Sequence, residues 1–310
     1  MKCIAPVYAK GTTRSYPTYV PCGKCGYCLR NRQLDWTFRL SEEFRQSAYQ
    51  SIFVTLTYNN QHLPWTDDFD EVTLLTKDLQ LFLKRMRIYQ WRKTRALEQI
   101  RYYAAGEYGE RFGRPHYHLI MFNVHPDTLA HITDFWVKPT AHKQKNPPSM
   151  GIMDVQLVND KTAIYSYVAA YVVNAWSNAK RKNKRPFSTM SKKPYLGATY
   201  VGRMRAWHKE QMLPYLPLPN DRKQRLPRTF KNKIFDQAEL NSFKAPALVQ
   251  ADLSHNRWLH ELYLIHGDEL SAFTAAELTL IHNERKILQR AKHVDKYEYQ
   301  SGKPSTSRSR

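Results

Sequence analysis

No stretch of this 310-residue chain approaches the roughly 18 continuous apolar residues that a membrane-spanning helix needs. The start, Met1-Lys2-Cys3-Ile4-Ala5-Pro6, also lacks the apolar segment of a secretory signal, so the expectation is a protein that works in the compartment where it is made. Internal repeats are missing, which excludes solenoid and propeller architectures. Cysteine is scarce: four residues, all within the first 28. Acidic residues are few as well, 27 Asp and Glu against 48 Lys and Arg, and none stands between Lys161 and Lys209. The resulting net charge of +21 says nothing about fold, but it calls for a polyanionic partner. Nucleic acid comes first; an anionic membrane surface is the weaker alternative. With 42% hydrophobic and 13% aromatic residues the chain is nonetheless rich enough to fold around a core.

Periodicity outlines the elements. Leu29, Trp36, Leu40 and Phe44 recur at helical spacing. Ser51–Tyr58 is β-branched and aromatic, as strands are. Thr76 is positioned to cap a helix burying Leu79, Phe82, Leu83 and Met86. Arg101–Gly106 and His116–Val124 read as strands joined by a Gly-rich turn over Glu107–Pro115, and Ile152–Val158 as a further short strand. Leu129, Ile132 and Trp136 have helical spacing, and Val137–Gly151, with three prolines, is loop. Beyond a Pro-rich joint (Pro214, Pro217, Pro219, Pro227) the pattern is helical. Thr274-Ala-Ala-Glu277 there has the form of a capping box opening a helix with Leu278, Ile281, Leu288 and Ala291 on one face. Strands and helices mix without βαβ alternation, which predicts an α+β fold with an antiparallel sheet. The expected organisation is an N-terminal arm and helix over 1–50, a core over 51–213, a joint and helical arm over 214–300, and a disordered basic tail over 301–310.

Chemistry concentrates at two places. His116 and His118 are i and i+2 on a strand, so their imidazoles face the same way and form a natural pair of metal ligands. Tyr117 between them must then point into the core. Glu107 and Glu110 in the preceding turn are both available as a carboxylate ligand for Mg²⁺ or Mn²⁺. Downstream, Asp160 can cap a helix on which Tyr167 and Tyr171, four apart, share one face, with Tyr165 directed elsewhere. A tyrosine hydroxyl that attacks phosphorus is a poor nucleophile near neutral pH, and a cation on the phosphate oxygens supplies the missing assistance. Lys180, Arg181, Lys182, Lys184 and Arg185 form a basic run suited to DNA phosphates.

These segments, in order, resemble the motifs of rolling-circle replication initiators of the His-hydrophobic-His endonuclease superfamily. The segments are Phe53–Tyr58, Gly106–Gly109 leading to Arg114–His118, and Tyr167–Tyr171. They are most similar to the initiators of the gokushovirus branch of the Microviridae, as are Pro21–Cys28, Ser191–Pro194 through Gly197, and Leu226–Arg228 through Phe235. The resemblance implies a sheet of about five antiparallel strands flanked by helices, with the histidine pair on a central strand. It implies that Glu107, in the family-like Gly-Glu-Tyr-Gly segment, completes the metal set. It also implies that one tyrosine nicks one strand at an origin, stays linked to the 5′ end and later rejoins it, while the second takes the next cut. The implied partners are single-stranded and origin DNA and host replication proteins such as a helicase, in the cytoplasm of a bacterial host. The family pattern carries a lysine three residues after each tyrosine; this chain has Ala170 and Asn174 there.

Cys22, Cys25 and Cys28 repeat at Cys-x-x-Cys spacing, and Cys3 can complete a four-sulfur structural zinc site. Reduced thiols packed at the helix start are the alternative, and an iron–sulfur cluster fits less well because nothing else suggests redox work. Two rival functions remain open at this level: a relaxase or transposase of the same chemistry, and a non-enzymatic DNA-binding or packaging protein. The second has no reason to place His-x-His ahead of paired tyrosines.

Overall fold

The computed structural model describes residues 3, 7–9, 18–68, 70–95, 98–109, 112–138, 147–158, 183–218, 220 and 222–300. In chain order its strands are β1 (Val7–Ala9), β2 (Thr18–Val20), β3 (Gln50–Tyr58), β4 (Arg101–Tyr108), β5 (Pro115–Val124), β6 (Gly151–Leu157), β7 (Phe187–Met190), β8 (Tyr215–Leu218) and β9 (Arg222–Arg225). The helices are α1 (Gly26–Arg45), α2 (Thr76–Thr94), α3 (Pro126–Ala130), α4 (Ala198–Glu210), α5 (Arg228–Ile234), α6 (Gln237–Ser242), α7 (Lys244–His266) and α8 (Glu269–Gln300). By internal contacts the chain divides into two units, residues 36–203 and residues 1–35 with 204–310.

The unit over 36–203 is built on a five-stranded antiparallel sheet in the order β6-β3-β5-β4-β7, so the fold is α+β as expected and β5 is its central strand. Alternation along β3 and β5 sends successive side chains to opposite faces, and each face has its own core. On one face Ile52, Val54, Leu56, Leu119 and Met121 pack with Leu79, Phe82, Leu83 and Met86 of α2. On the other, Phe53, Tyr103, Ile120 and Phe122 pack with Leu40, and Trp36 and Phe44 of α1 lie against them. Burial on both faces explains the unbroken apolar run Leu119–Phe122. Each fully buried side chain of this size contributes about 1.5–3 kcal/mol.

Several local expectations are corrected. Thr76 is the first helical residue of α2 rather than its cap; Leu75 holds the cap position with no side-chain cap bond, and Thr76 Oγ1 is engaged by Lys184 Nζ instead. The turn after β4 is shorter than Glu107–Pro115, because Glu107 and Tyr108 stay in the ladder opposite His116 and Pro115. The Tyr108 hydroxyl holds that end down, accepting from Leu74 N (3.1 Å) and donating to Lys184 O (2.7 Å). The 129–136 segment is a short α3 followed by a 3₁₀ turn over Ile132–Phe135.

In the other unit the Pro-rich joint forms a hairpin, β8 paired with β9. Pro217 is tolerated there because a two-stranded ribbon leaves one side of each strand unpaired. The Thr274–Glu277 box caps nothing: it lies inside α8, and Thr274 Oγ1 donates back to Leu270 O (2.9 Å). Asp268 does the capping, accepting from Ser271 N at 2.8 Å just after Gly267 in the left-handed region. Leu278 of α8 is exposed, contrary to the expected apolar face. The helix capped by Asp160 and the tail over 301–310 lie outside the described residues.

Candidate metal and DNA-cleavage site

Glu107, His116 and His118 share one face of the sheet, because β4 and β5 pair with Glu107 opposite His116 and Ala105 opposite His118. This is the α1-facing side, carrying Tyr103, Ile120 and Phe122, at the end of the strands where that core stops. His118 Nε2 is 3.0 Å from Glu107 Oε1, and its ring stacks on Phe53 with centroids 5.9 Å apart. The two imidazole centroids are 6.4 Å apart.

Two residues overlooked in the sequence fix the ring orientations. Thr57 and Thr55 on β3 stand in register with His116 and His118, and their hydroxyls bond the Nδ1 atoms at 2.8 and 3.2 Å. Both rings therefore turn Nε2 away from β3. An Nδ1–H donated to threonine leaves an Nε2 lone pair for a cation, the outer-shell arrangement typical of metal-bound histidine. Burial, reinforced by the nearby His118 and Arg114 charges, draws the His116 pKa down to about 4, so this ring is neutral at physiological pH. Gly109 is required by the same ring: a Cβ there would lie 2.7 Å from His116 Nε2. Asp154 of β6, in register with Thr55, is an exposed carboxylate on the same face.

Tyr117 is fully buried on the opposite face, where a bare phenol would be costly. Its hydroxyl accepts from Leu75 N (2.8 Å), donates to Leu75 O (3.0 Å) and lies 3.1 Å from the Tyr58 hydroxyl, which donates to Asp78 Oδ2 at 2.9 Å. The strand that carries the histidines is thereby tied to the start of α2. Arg114 secures the strand entry, donating from Nη1 to Tyr58 O (2.7 Å) and from Nη2 to Asn60 Oδ1 (2.6 Å).

The donor set, two neutral-capable imidazoles and a carboxylate, fits a divalent cation of the Mg²⁺ or Mn²⁺ class. Its three ligating atoms are looser than the cysteine quartet. Among the described residues, the group bringing three or more such atoms within 4.8 Å of one another is Cys3, Cys22, Cys25 and Cys28. Of the other site residues expected from the sequence, Glu110, Tyr165, Tyr167, Tyr171, Lys180, Arg181 and Lys182 lie outside the described residues. Lys184 and Arg185 are exposed; the Lys184 ammonium meets Thr76 and sits 5.1 Å from the Phe187 ring centroid.

Residues 51–175, the stretch holding β3 to β6, the histidine pair and both tyrosines, match the family model for the replication-associated protein ORF2 group. The resemblance to microvirus replication proteins holds. The replication-associated protein ORF2 of Spiroplasma virus 4 is 34% identical over 115 residues, 37% of this chain and 35% of its own length. ORF4 of Chlamydia phage 1 is 30% identical over 166 residues, 51% of this chain and 38% of its own. VP4 of Bdellovibrio phage phiMH2K is 27% identical over 220 residues, 68% of this chain and 66% of its own. Both are likewise replication-associated proteins, and the chain spans from about a third to about two thirds of these relatives' lengths. Among the described residues no helix is long and apolar enough to cross a membrane.

Proposed function

We propose that this chain initiates rolling-circle replication of a phage genome by nicking one DNA strand at an origin in the host cell. The observation that carries the reading is the placement of Glu107, His116 and His118 on one face of the central strand pair, with Thr55 and Thr57 aiming both imidazoles. Those three side chains would hold Mg²⁺ or Mn²⁺, which supplies charge stabilisation on the scissile phosphate. Tyr167 attacks phosphorus: its oxygen forms the new bond, the bond to the 3′ oxygen breaks, and that oxygen leaves as a hydroxyl once protonated. The phosphodiester energy is retained in the 5′-phosphotyrosine, so the reverse reaction rejoins the strand without a nucleotide cofactor. Tyr171, one helical turn on, makes the next cut. Both tyrosines fall within the matched replication-associated stretch. The +21 charge supplies sequence-independent DNA affinity, and a host helicase would open the duplex ahead of the freed 3′ end.

The test is cleavage of single-stranded origin DNA with and without Mn²⁺. His116→Ala and His118→Ala should each lose cleavage while keeping most DNA affinity, because the lysines and arginines are untouched; EDTA should act likewise and Mn²⁺ reverse it. Full cleavage by the double variant overturns the metal assignment. A larger loss from Glu110→Ala than from Glu107→Ala would move the carboxylate ligand to Glu110.

A further inference from the structure

Cys3, Cys22, Cys25 and Cys28 lie outside the stretch matched to the replication-associated family, and the nicking chemistry makes no use of them. Their four sulfurs nevertheless all stand within 4.8 Å of one another, the Cys3 and Cys25 sulfurs at 3.9 Å, and all four cysteines are free rather than disulfide-bonded. Distance discriminates among the things four clustered cysteines can do. A disulfide needs two sulfurs at about 2.05 Å. A four-iron cluster spreads its thiolates far wider than this quartet. A single tetrahedral ion with Zn–S bonds of about 2.3 Å sets the sulfurs about 3.8 Å apart, the spacing that the Cys3–Cys25 pair already has.

The backbone is arranged to favour thiolates. Cys22 Sγ accepts from Lys24 N (3.4 Å) and Cys25 N (3.3 Å), and Cys3 Sγ accepts from Cys22 N (3.3 Å). Gly23, at φ +74°, makes the turn that points the two amides back at Cys22, a conformation a side chain would strain. Such N–H···S bonds strengthen when the sulfur is ionised.

We propose that these four cysteines bind one Zn²⁺ as a structural site. Its place in the chain says what it does. Cys3 precedes β1 and Cys22 follows β2, so they flank the open end of the β1–β2 hairpin, while Cys25 and Cys28 belong to the start of α1. Two three-residue strands, with Val7 and Tyr8 exposed, cannot hold themselves together by burial. The metal clamps the base of this hairpin to the first turn of α1, and the N-terminal arm orders when zinc binds.

The experiment is elemental analysis of the full chain purified in reducing buffer without chelator, followed by Co²⁺ substitution. The expected result is one zinc per chain, and a Co²⁺ form with sulfur-to-metal charge transfer and the visible bands of a tetrahedral thiolate site. Cys25→Ser should lose the metal and Cys3→Ser should bind it at least tenfold more weakly. Should a variant fold poorly, chelating zinc from the unmodified chain gives a second reading: proteolysis should quicken within the first 25 residues while residues 36–203 stay resistant. Iron in place of zinc, disulfide-linked cysteines, or a metal-free chain whose four thiols all react freely would overturn the proposal. None of these readouts depends on DNA cleavage.

Discussion

Replacing Tyr117 by Phe removes one oxygen from the residue between the two histidines and separates its structural role from theirs. The hydroxyl accepts from Leu75 N and donates to Leu75 O, at the entrance of a helix that has no side-chain cap. Phe keeps the ring contacts with Tyr58, Trp136 and Phe187 but leaves the Leu75 amide without this acceptor and the Tyr58 hydroxyl with one fewer neighbour. An unsatisfied buried group costs about 1–3 kcal/mol, so Tyr117→Phe should destabilise by about 2 kcal/mol. For a unit of this size, at roughly 2–4 °C per kcal/mol, the loss is about 4–8 °C in Tm. Differential scanning calorimetry of the full chain reads it as a downward shift of the transition belonging to residues 36–203. Cleavage at 20–25 °C should stay within about twofold of the parent, since the hydroxyl faces away from the metal side. An unchanged or raised Tm refutes the buried-network argument. Loss of cleavage without loss of stability would make Tyr117 part of the chemistry.

Gly109→Ala places a methyl where 2.7 Å separates it from His116 Nε2, so the ring or the turn must shift. The Mn²⁺ concentration for half-maximal cleavage should rise by about tenfold, the usual size of an outer-shell defect, with folding intact by circular dichroism; an unchanged requirement refutes the placement of His116. Neutralising Lys180, Arg181, Lys182, Lys184 and Arg185 together should weaken binding to all single-stranded sequences alike. Because the Lys184 ammonium is engaged with Thr76, four contacts are expected, and the log–log salt slope should flatten by roughly 2.8 at about 0.7 per phosphate. An identical slope would mean that the run is a solvated face.

The sequence pattern carried what depends on local periodicity. The i, i+2 spacing put His116 and His118 on one side, and unbroken apolar runs located β3 and β5. Cross-strand register was not readable in this way, so Thr55 and Thr57 passed as ordinary β-formers although they set the imidazole rotation. Gly106 and Gly109 suggested that β4 ended early, yet it runs through Glu107 because the Tyr108 hydroxyl is anchored from two sides. That extension matters to the chemistry, since it fixes Glu107 on a strand rather than a turn. Thr274 and Glu277 have the spacing of a capping box, but Asp268 after Gly267 starts the helix sooner, and the pattern is simply absorbed into α8. The approach of Cys3 to the other cysteines across 19 residues needed the structure, since spacing could offer it as one option among several.

The account rests on a tyrosine that becomes covalently joined to DNA. Incubating the chain with single-stranded origin DNA and Mn²⁺, trapping the adduct and mapping the modified peptide by mass spectrometry tests this directly. The account predicts a 5′-phosphotyrosine at Tyr167 after the first cut, passing to Tyr171 when Tyr167→Phe is used. An adduct mapped solely to Tyr165, or one that still forms when Tyr167 and Tyr171 are both Phe, contradicts it.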